Sequence, residues 1–183
     1  MVCSPRLRGC SWHRSARPTG GVWGLHPAVS LWVDVDHFEE RAAQARTEER
    51  AGHTEAAVAA YEDLLGRYRG EFVVDGPYEE WAAPRRERLR LQHLDALDRL
   101  AQLHLDAGRC ARAADLAQRL LAEDPCREHA HRLLMRCHSR RGLPHLALLQ
   151  FRSCVRTLNR ELRVEPAPET VALFRAIRRH DQV

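Results

Sequence analysis

Three stretches of fourteen residues decide the fold: GHTEAAVAAYEDLL at 52–65, GRCARAADLAQRLL at 108–121 and GLPHLALLQFRSCV at 142–155. Each begins with a glycine and has an alanine five positions later, at Ala57, Ala113 and Ala147. Apolar residues then recur nine, twelve and thirteen positions after the glycine, which is the spacing of one helix face. The pattern predicts the same amphipathic helix three times, each entered through a glycine turn.

The distance between these copies predicts how the helices pack. Gly108 and Gly142 are 34 residues apart, and Leu100 and Leu134 keep the same offset one helix earlier. Thirty-four residues is the period of the tetratricopeptide repeat, whose helical hairpins bury their apolar faces by stacking on one another. The 56 residues from Gly52 to Gly108 fit one repeat plus an insertion of 22, which contains the Gly/Pro segment 69–77. The sequence therefore predicts an all-α, tetratricopeptide-repeat-like helical hairpin solenoid.

The N-terminal part of the chain lacks this pattern. Residues 1–28 contain several Gly and Pro without periodicity and are predicted to be irregular or disordered. The apolar run 29–35 is compatible with an isolated strand, and Asp36 with Glu39 predicts a capping box at the start of the first helix. We divide the chain into an irregular segment at 1–30, a helical domain at 31–179 and a short tail at 180–183.

Composition limits where the protein works. At 183 residues and 44% hydrophobic content, the chain is long enough for one principal domain without disulfides or metal. It has no run of 18 apolar residues and no signal-peptide pattern, so we expect a cytoplasmic protein without a membrane partner. All 29 basic residues are arginine, which we attribute to the codon usage of a GC-rich bacterial genome.

Chemistry-bearing residues are scattered. The six cysteines lack the paired spacing of a zinc site, and the densest group of possible ligands is Cys126, His129 and His131. Metal binding there is the alternative, and ordinary helix residues are the favoured interpretation. The long predicted helix carries His93 and His104 on one face, where packing or surface roles are commoner than catalysis. No glycine-rich phosphate loop or hydrolase motif is found, so we predict no enzyme and no cofactor.

Charge changes sign along the chain. Residues 39–83 hold 11 acidic residues and five arginines, whereas residues 126–163 hold nine arginines and two acidic residues. Within the basic part, two sets of three arginines recur every four residues, which places each set along one helix face. These residues are the candidate basic interaction face: Arg132, Arg136, Arg140, Arg152, Arg156 and Arg160. Three interpretations stay open: contact with DNA phosphates, docking of the acidic region of another copy, and a solvated surface.

Further residues, spread in order along the chain, carry a family resemblance. They include Asp34-Val35-Asp36, Leu64-Leu65, Tyr68-Arg69-Gly70-Glu71-Phe72, Trp81 with Arg85 and Leu89, Asp124-Pro125 with Glu128, Leu134-Met135, Gly142 with Ala147-Leu148, and Leu158 with Glu161-Leu162, Val164, Pro166, Glu169 and Thr170. From about Leu31 to Ile177 the chain resembles the bacterial transcriptional activator domain of actinobacterial antibiotic regulatory (SARP-type) regulators. Most of these residues suit structural roles.

The structural motif residues show what those roles are. Gly70 suits a backbone turn, and Trp81 is a large apolar residue for the insertion to bury. Asp124-Pro125 marks a join between helices, Gly142 opens a repeat, and Pro166 keeps the segment after Leu162 extended. Where the family often has glycine after the Glu-Leu pair, this chain has Arg163, which puts a left-handed turn there in question.

The resemblance implies a function. In such regulators the module follows a winged helix-turn-helix domain, which we expect this chain to lack, because that domain needs on the order of 90 to 100 residues and only about 30 precede the match. We therefore expect a regulatory or oligomerisation module that contacts other protein domains or itself, with a homodimer as one possibility. DNA contact would be indirect or non-specific, through the arginine face. There are two alternatives to this function. One is non-specific contact with nucleic acid through the arginine face, and the other is a repeat adaptor unrelated to transcription.

Overall fold

A computed structural model describes residues 16–19, 22–25, 34–68 and 79–181, with only the backbone described for the two strands, for Asp34 and for 79–82. Its elements are, in chain order, β1 Ala16–Thr19, β2 Val22–Leu25, α1 Asp34–Arg50, α2 Thr54–Arg67, α3 Glu79–Asp106, α4 Cys110–Glu123, α5 Glu128–Arg140, α6 Pro144–Leu162 and α7 Pro168–Arg178. None of the helices in these ranges combines the length and the apolar composition of a membrane span.

The three repeat glycines adopt one and the same turn. Gly52, Gly108 and Gly142 have φ values of 76°, 73° and 73°, in the left-handed region that favours glycine. After each, the next residue donates its backbone N–H to the carbonyl five residues back, at 2.8–3.0 Å. A Cβ atom at any of the three would meet nothing within 4 Å, so the glycines are needed for conformation and not for space.

The repeat offsets found in the sequence are also the positions buried in the structure. Ala57, Ala113 and Ala147 are all 0% exposed, and so are the residues seven positions later, Leu64, Leu120 and Cys154. Alanine at the crossing of two helices lets their backbones approach, and the larger residues fill the space one turn further. The prediction of repeated helical hairpins is confirmed.

The helices form two layers. In sequence order α1 packs on α2, α3 on α4 and α5 on α6, and α7 closes the array against α6. Helix α5 also contacts α3 and α7 directly, whereas α2, α4 and α6 make no comparable contact with one another among the described residues. The array therefore curves toward α1, α3, α5 and α7, which we call the inner layer; α2, α4 and α6 form the outer layer.

The start of the first helix differs from its prediction. Helix α1 begins at Asp34, and Val35, assigned to a possible strand, is a fully buried helical residue. Asp36 and Glu39 lie inside the helix, where they pair with arginines of α3, so the capping-box interpretation is wrong. The rest of that possible strand, 29–33, lies outside the described residues.

A short hairpin occupies part of the segment predicted to be irregular. Strands β1 and β2 pair antiparallel, with Thr19 opposite Val22. The two residues between this pair are Gly20 and Gly21, and Gly-Gly is favoured in two-residue hairpin connections. The prediction of an irregular segment is therefore wrong for these two strands.

Helix α6 ends in a left-handed residue despite the lack of glycine. Arg163 has φ 58° and ψ 35°, and its N–H donates to the carbonyl of Asn159 at 3.2 Å. A non-glycine residue in this region costs about 1–2 kcal/mol. The sequence put a left-handed turn at Arg163 in question because the residue is not glycine. The structure has this turn, at a cost in free energy.

Candidate functional site

The arginines of α5 lie along the inner layer. Arg132, Arg136 and Arg140 follow one another at four-residue steps, about 6 Å apart along the helix axis. The buried residues of α5 point toward its neighbours on two other sides, with Ala130 and Leu134 in one apolar cluster and Met135 in the other. These three arginines, which we call the inner stripe, therefore lie on the side of α5 that faces away from the outer layer.

The two ends of the inner stripe are tied to the neighbouring helices. Arg132 donates from Nη1 to the Thr170 hydroxyl of α7 at 2.9 Å, and Arg140 donates from Nη1 to the carbonyl of Leu105 in the last turn of α3 at 2.9 Å. A cation is favourable at this end of α3, where carbonyl groups lack helical partners. These bonds hold α3, α5 and α7 in register, and both acceptors are uncharged.

Arg136, in the middle of the inner stripe, has no such partner. It is half-buried and makes no hydrogen bond or ion pair with any described residue. Its pKa is lowered by burial and by the positive charges of Arg132 and Arg140, and the only attraction that opposes them comes from Asp106. Arginine stays charged at neutral pH, so the inner stripe holds a partly dehydrated positive charge that forms no ion pair with the described residues.

The second set of arginines does not join the first. Arg152, Arg156 and Arg160 are exposed and lie on the side of α6 opposite its buried residues. Helix α6 belongs to the outer layer, so this outer stripe and the inner stripe face opposite sides of the array. Of the six predicted residues, the structure brings together three and leaves the other three on a separate surface.

The acidic region finds partners within the chain. Arginines of α3 pair with acidic residues of α1, Arg85 with Asp36 at 3.0 Å and Arg99 with Glu49 at 3.4 Å. Arg109, in the turn between α3 and α4, places its Nη1 3.2 Å from Oε1 of Glu55 in α2. Docking of this region onto the basic face of another copy would require these pairs to open.

A half-buried carboxylate, that of Glu128, fixes the last helix next to the inner stripe. Glu128 accepts hydrogen bonds from the backbone N–H of Ala167, at 2.9 and 3.1 Å, and from the Thr170 hydroxyl at 2.6 Å. Thr170 is 0% exposed and in turn accepts the bond from Arg132. The carboxylate thus holds the residue before α7 and a side chain of its first turn, and the network orients one end of the stripe.

The structural motif residues are placed as follows. Asp124 and Pro125 lie at the join of α4 and α5, and Gly142 forms the turn between α5 and α6. Pro166 lies in the non-helical segment between α6 and α7. Gly70 and the side chain of Trp81 lie outside the described residues.

The possible metal ligands are used for other contacts. His131 donates from Nε2 to the Pro125 carbonyl at 3.1 Å and accepts from the Gln150 amide on Nδ1 at 2.7 Å, while His129 bonds Asp98 at 2.6 Å. In the part of the chain that the structure describes, no three such side chains are grouped to hold an ion.

Buried histidines serve packing. His93 stacks on Tyr68 with ring centroids 3.9 Å apart and lies 3.1 Å from Glu123, and His104 accepts a 2.8 Å bond from Arg109. Burial lowers the pKa of His93, His104 and His131. The sequence favours packing or surface roles for His93 and His104. The hydrogen bond between Glu128 and Thr170 could not be predicted from a local pattern, and its only signal is the place of both residues among those that carry the family resemblance.

The fold and this surface define a helical-repeat module, built like a tetratricopeptide array, with a charged inner layer. A family model described as the bacterial transcriptional activator domain matches residues 33–178, most of the chain. The chain therefore belongs to the bacterial transcriptional activator domain family, and the predicted resemblance is confirmed. No curated protein sequence matches it.

Solved structures agree on the fold. Mycobacterium tuberculosis EmbR, in complex with a low-affinity phosphopeptide, is similar with a TM-score of 0.72 and 23% identity over 86% of this chain. The match spans 43% of EmbR, less than half of its length. The C-terminal TPR-containing domain of the Plasmodium falciparum putative FK506-binding protein PFL2275c is similar with a TM-score of 0.57 and 12% identity, over 80% of this chain and 89% of that one. The predicted all-α, tetratricopeptide-repeat-like fold is confirmed.

Proposed function

We propose that this domain is a non-enzymatic, cytoplasmic module of a transcription regulator that acts by binding protein segments on its inner layer around Arg136. The observation that carries the proposal is the state of Arg136, a half-buried guanidinium between two like charges and without a bonded partner among the described residues. Such a charge disfavours the isolated fold, and a partner that supplies an acceptor would relieve it. The partner is another protein domain or a second copy of the module.

Family membership supports the link to transcription, and it weakens the alternative of a repeat adaptor with an unrelated role. The phosphopeptide in the EmbR complex belongs to a longer chain, of which this domain matches less than half. For this chain a phosphopeptide is therefore one negatively charged ligand to test, and it is not assigned from the similarity to EmbR.

Site-specific photo-crosslinking in cells tests the proposal. A photoreactive side chain is placed at Gln102, which bonds Asp106 on the inner layer, and the matched control carries it at Arg156 on the outer stripe. We expect adducts at position 102 with a second copy or with a protein of the transcription apparatus, identified by mass spectrometry. These adducts should decrease when Arg136→Gln is added. No protein adduct above the control, or adducts that ignore Arg136→Gln, would refute the proposal.

A second candidate is non-specific nucleic-acid contact through the outer stripe. Arg152 and Arg156 are exposed and make no ion pair with described residues, which favours contact with phosphates. Gel-shift titration with any DNA duplex at low salt would then show uniform, salt-sensitive binding that Arg152→Gln with Arg156→Gln weakens. The absence of a shift at high micromolar protein would remove this candidate.

A further inference from the structure

We propose that the inner stripe recognises an acidic peptide segment of a partner protein, bound in an extended conformation with its carboxylates on Arg136 and Arg132. This inference rests on the proposed function and adds the chemistry of the partner. The spacing supports it, because arginines four residues apart rise about 6 Å along a helix. Side chains two residues apart on one face of an extended chain are about 6.6 Å apart, so alternate acidic residues match the stripe.

One flanking arginine, Arg132, keeps donors for such a ligand. A guanidinium has five N–H donors in a planar fork. Arg132 gives one of them to the Thr170 hydroxyl, a neutral acceptor. This bond orients the side chain before a ligand arrives, which lowers the entropy lost on binding.

The carboxylates around the stripe are already bonded elsewhere. Glu128 accepts from Ala167 and Thr170, and Asp98 bonds His129. Asp106, the acid that acts on Arg136, accepts from the amide of Gln102 at 2.7 Å and forms no ion pair with it. The surface therefore keeps an excess of positive charge that its own acids do not neutralise.

The same geometry favours a peptide of another protein over the other anionic partners. Three acids of α1 and α2 are engaged with Arg85, Arg99 and Arg109, so a second copy would have to break these ion pairs to supply them. A DNA duplex is a stiff rod, with a persistence length of about 50 nm, and reaches exposed side chains more easily than half-buried ones on the layer toward which the array curves. A flexible acidic segment satisfies both conditions.

Fluorescence anisotropy tests the inference with defined probes. The ligand is a labelled peptide of alternating Glu and Ser, titrated with the whole chain at low and high salt. Controls are the peptide with Gln in place of Glu, a peptide of the same composition with its Glu residues in one block, a phosphoserine peptide and a DNA duplex. We expect salt-sensitive binding of the alternating peptide, severalfold weaker binding of the block peptide, and none of the Gln peptide. Phosphoserine peptides should bind through Arg136 in the same way, because phosphate is also a guanidinium acceptor.

Two variants locate the binding. Arg136→Gln should weaken the alternating peptide about tenfold, the loss expected for one charge-assisted contact, while Arg156→Gln on the outer stripe should change it by less than about twofold. Circular dichroism confirms that both variants fold. Three results would overturn the inference. The first is a Gln peptide that binds as tightly as the alternating Glu peptide, and the second is an equal loss of affinity in both variants. The third is a DNA duplex that binds more tightly than the peptide and requires Arg136. If no acidic peptide binds while the adducts at position 102 persist, only this inference fails; if both are absent, the proposed function fails as well.

Discussion

Arg136→Gln should make the protein more stable, although it removes a charged residue from a helix surface. Arg136 meets Arg132 and Arg140 one turn away on either side, and a like-charge pair at this spacing costs about 0.2–0.5 kcal/mol. Removing two such pairs gains about 0.4–1 kcal/mol, and the lost attraction to Asp106 offsets a few tenths of that. Glutamine and arginine have similar helix propensities, so the backbone adds little.

The net gain of about 0.5 kcal/mol in the free energy of unfolding should raise Tm by about 1–2 °C for a chain of this length. Urea denaturation and thermal melts at low and high salt measure it, and the gain should shrink at high salt because the repulsion is screened. Arg132→Gln is the matched control on the same helix. It relieves one repulsion but loses the bond to buried Thr170, so it should lower the free energy of unfolding by about 1 kcal/mol. Destabilisation by Arg136→Gln, or a gain that does not depend on salt, would refute the view of Arg136 as an uncompensated charge.

Three further predictions concern the fold. Glu128→Ala should cost about 3 kcal/mol, because the buried Thr170 hydroxyl and the Ala167 N–H lose their charged acceptor. Hydrogen exchange should then show faster opening of α7 than of the other helices, and uniform protection would contradict this. Arg163→Gly should raise the free energy of unfolding by about 1 kcal/mol in denaturant titrations, since glycine adopts the left-handed turn without strain, and a loss of stability would show that the side chain matters more than the backbone. Burial holds the pKa values of His93, His104 and His131 below 6.5, so the unfolded chain binds more protons than the folded chain. Stability should therefore be lost as the pH falls below about 6.5, and not as it rises above that value. Thermal melts across that pH range test this prediction.

Much of the fold could be read from the sequence, because the repeat is a local pattern. The glycines at 52, 108 and 142 and the alanines five positions later carry both the turn and the helix crossing, and no distant residue is needed to interpret them. The start of α1 was missed because an apolar run without periodicity, such as 29–35, is ambiguous between strand and helix. The Gly20-Gly21 pair was a usable hairpin signal within a segment dismissed for its composition.

The candidate site was harder to predict. The spacing of the arginines identified both stripes, and the place of the outer stripe opposite Ala147 and Cys154 could have been worked out from the helix period alone. Helix α5 is buried on two sides, so its arginines could be assigned to the inner layer only once its contacts with α3 and α7 were known. Whether Arg136 meets an acid depends on side chains 30 or more residues away, and no local pattern reports that.

The most direct test of the central claim, binding on the inner layer, is an amide chemical-shift map of the chain titrated with the alternating Glu-Ser peptide. The account predicts shifts concentrated on α5 from Arg132 to Arg140 and on the facing residues of α3 and α7, with little change around Arg156. Shifts centred on the outer stripe, or spread evenly over the array, would contradict it.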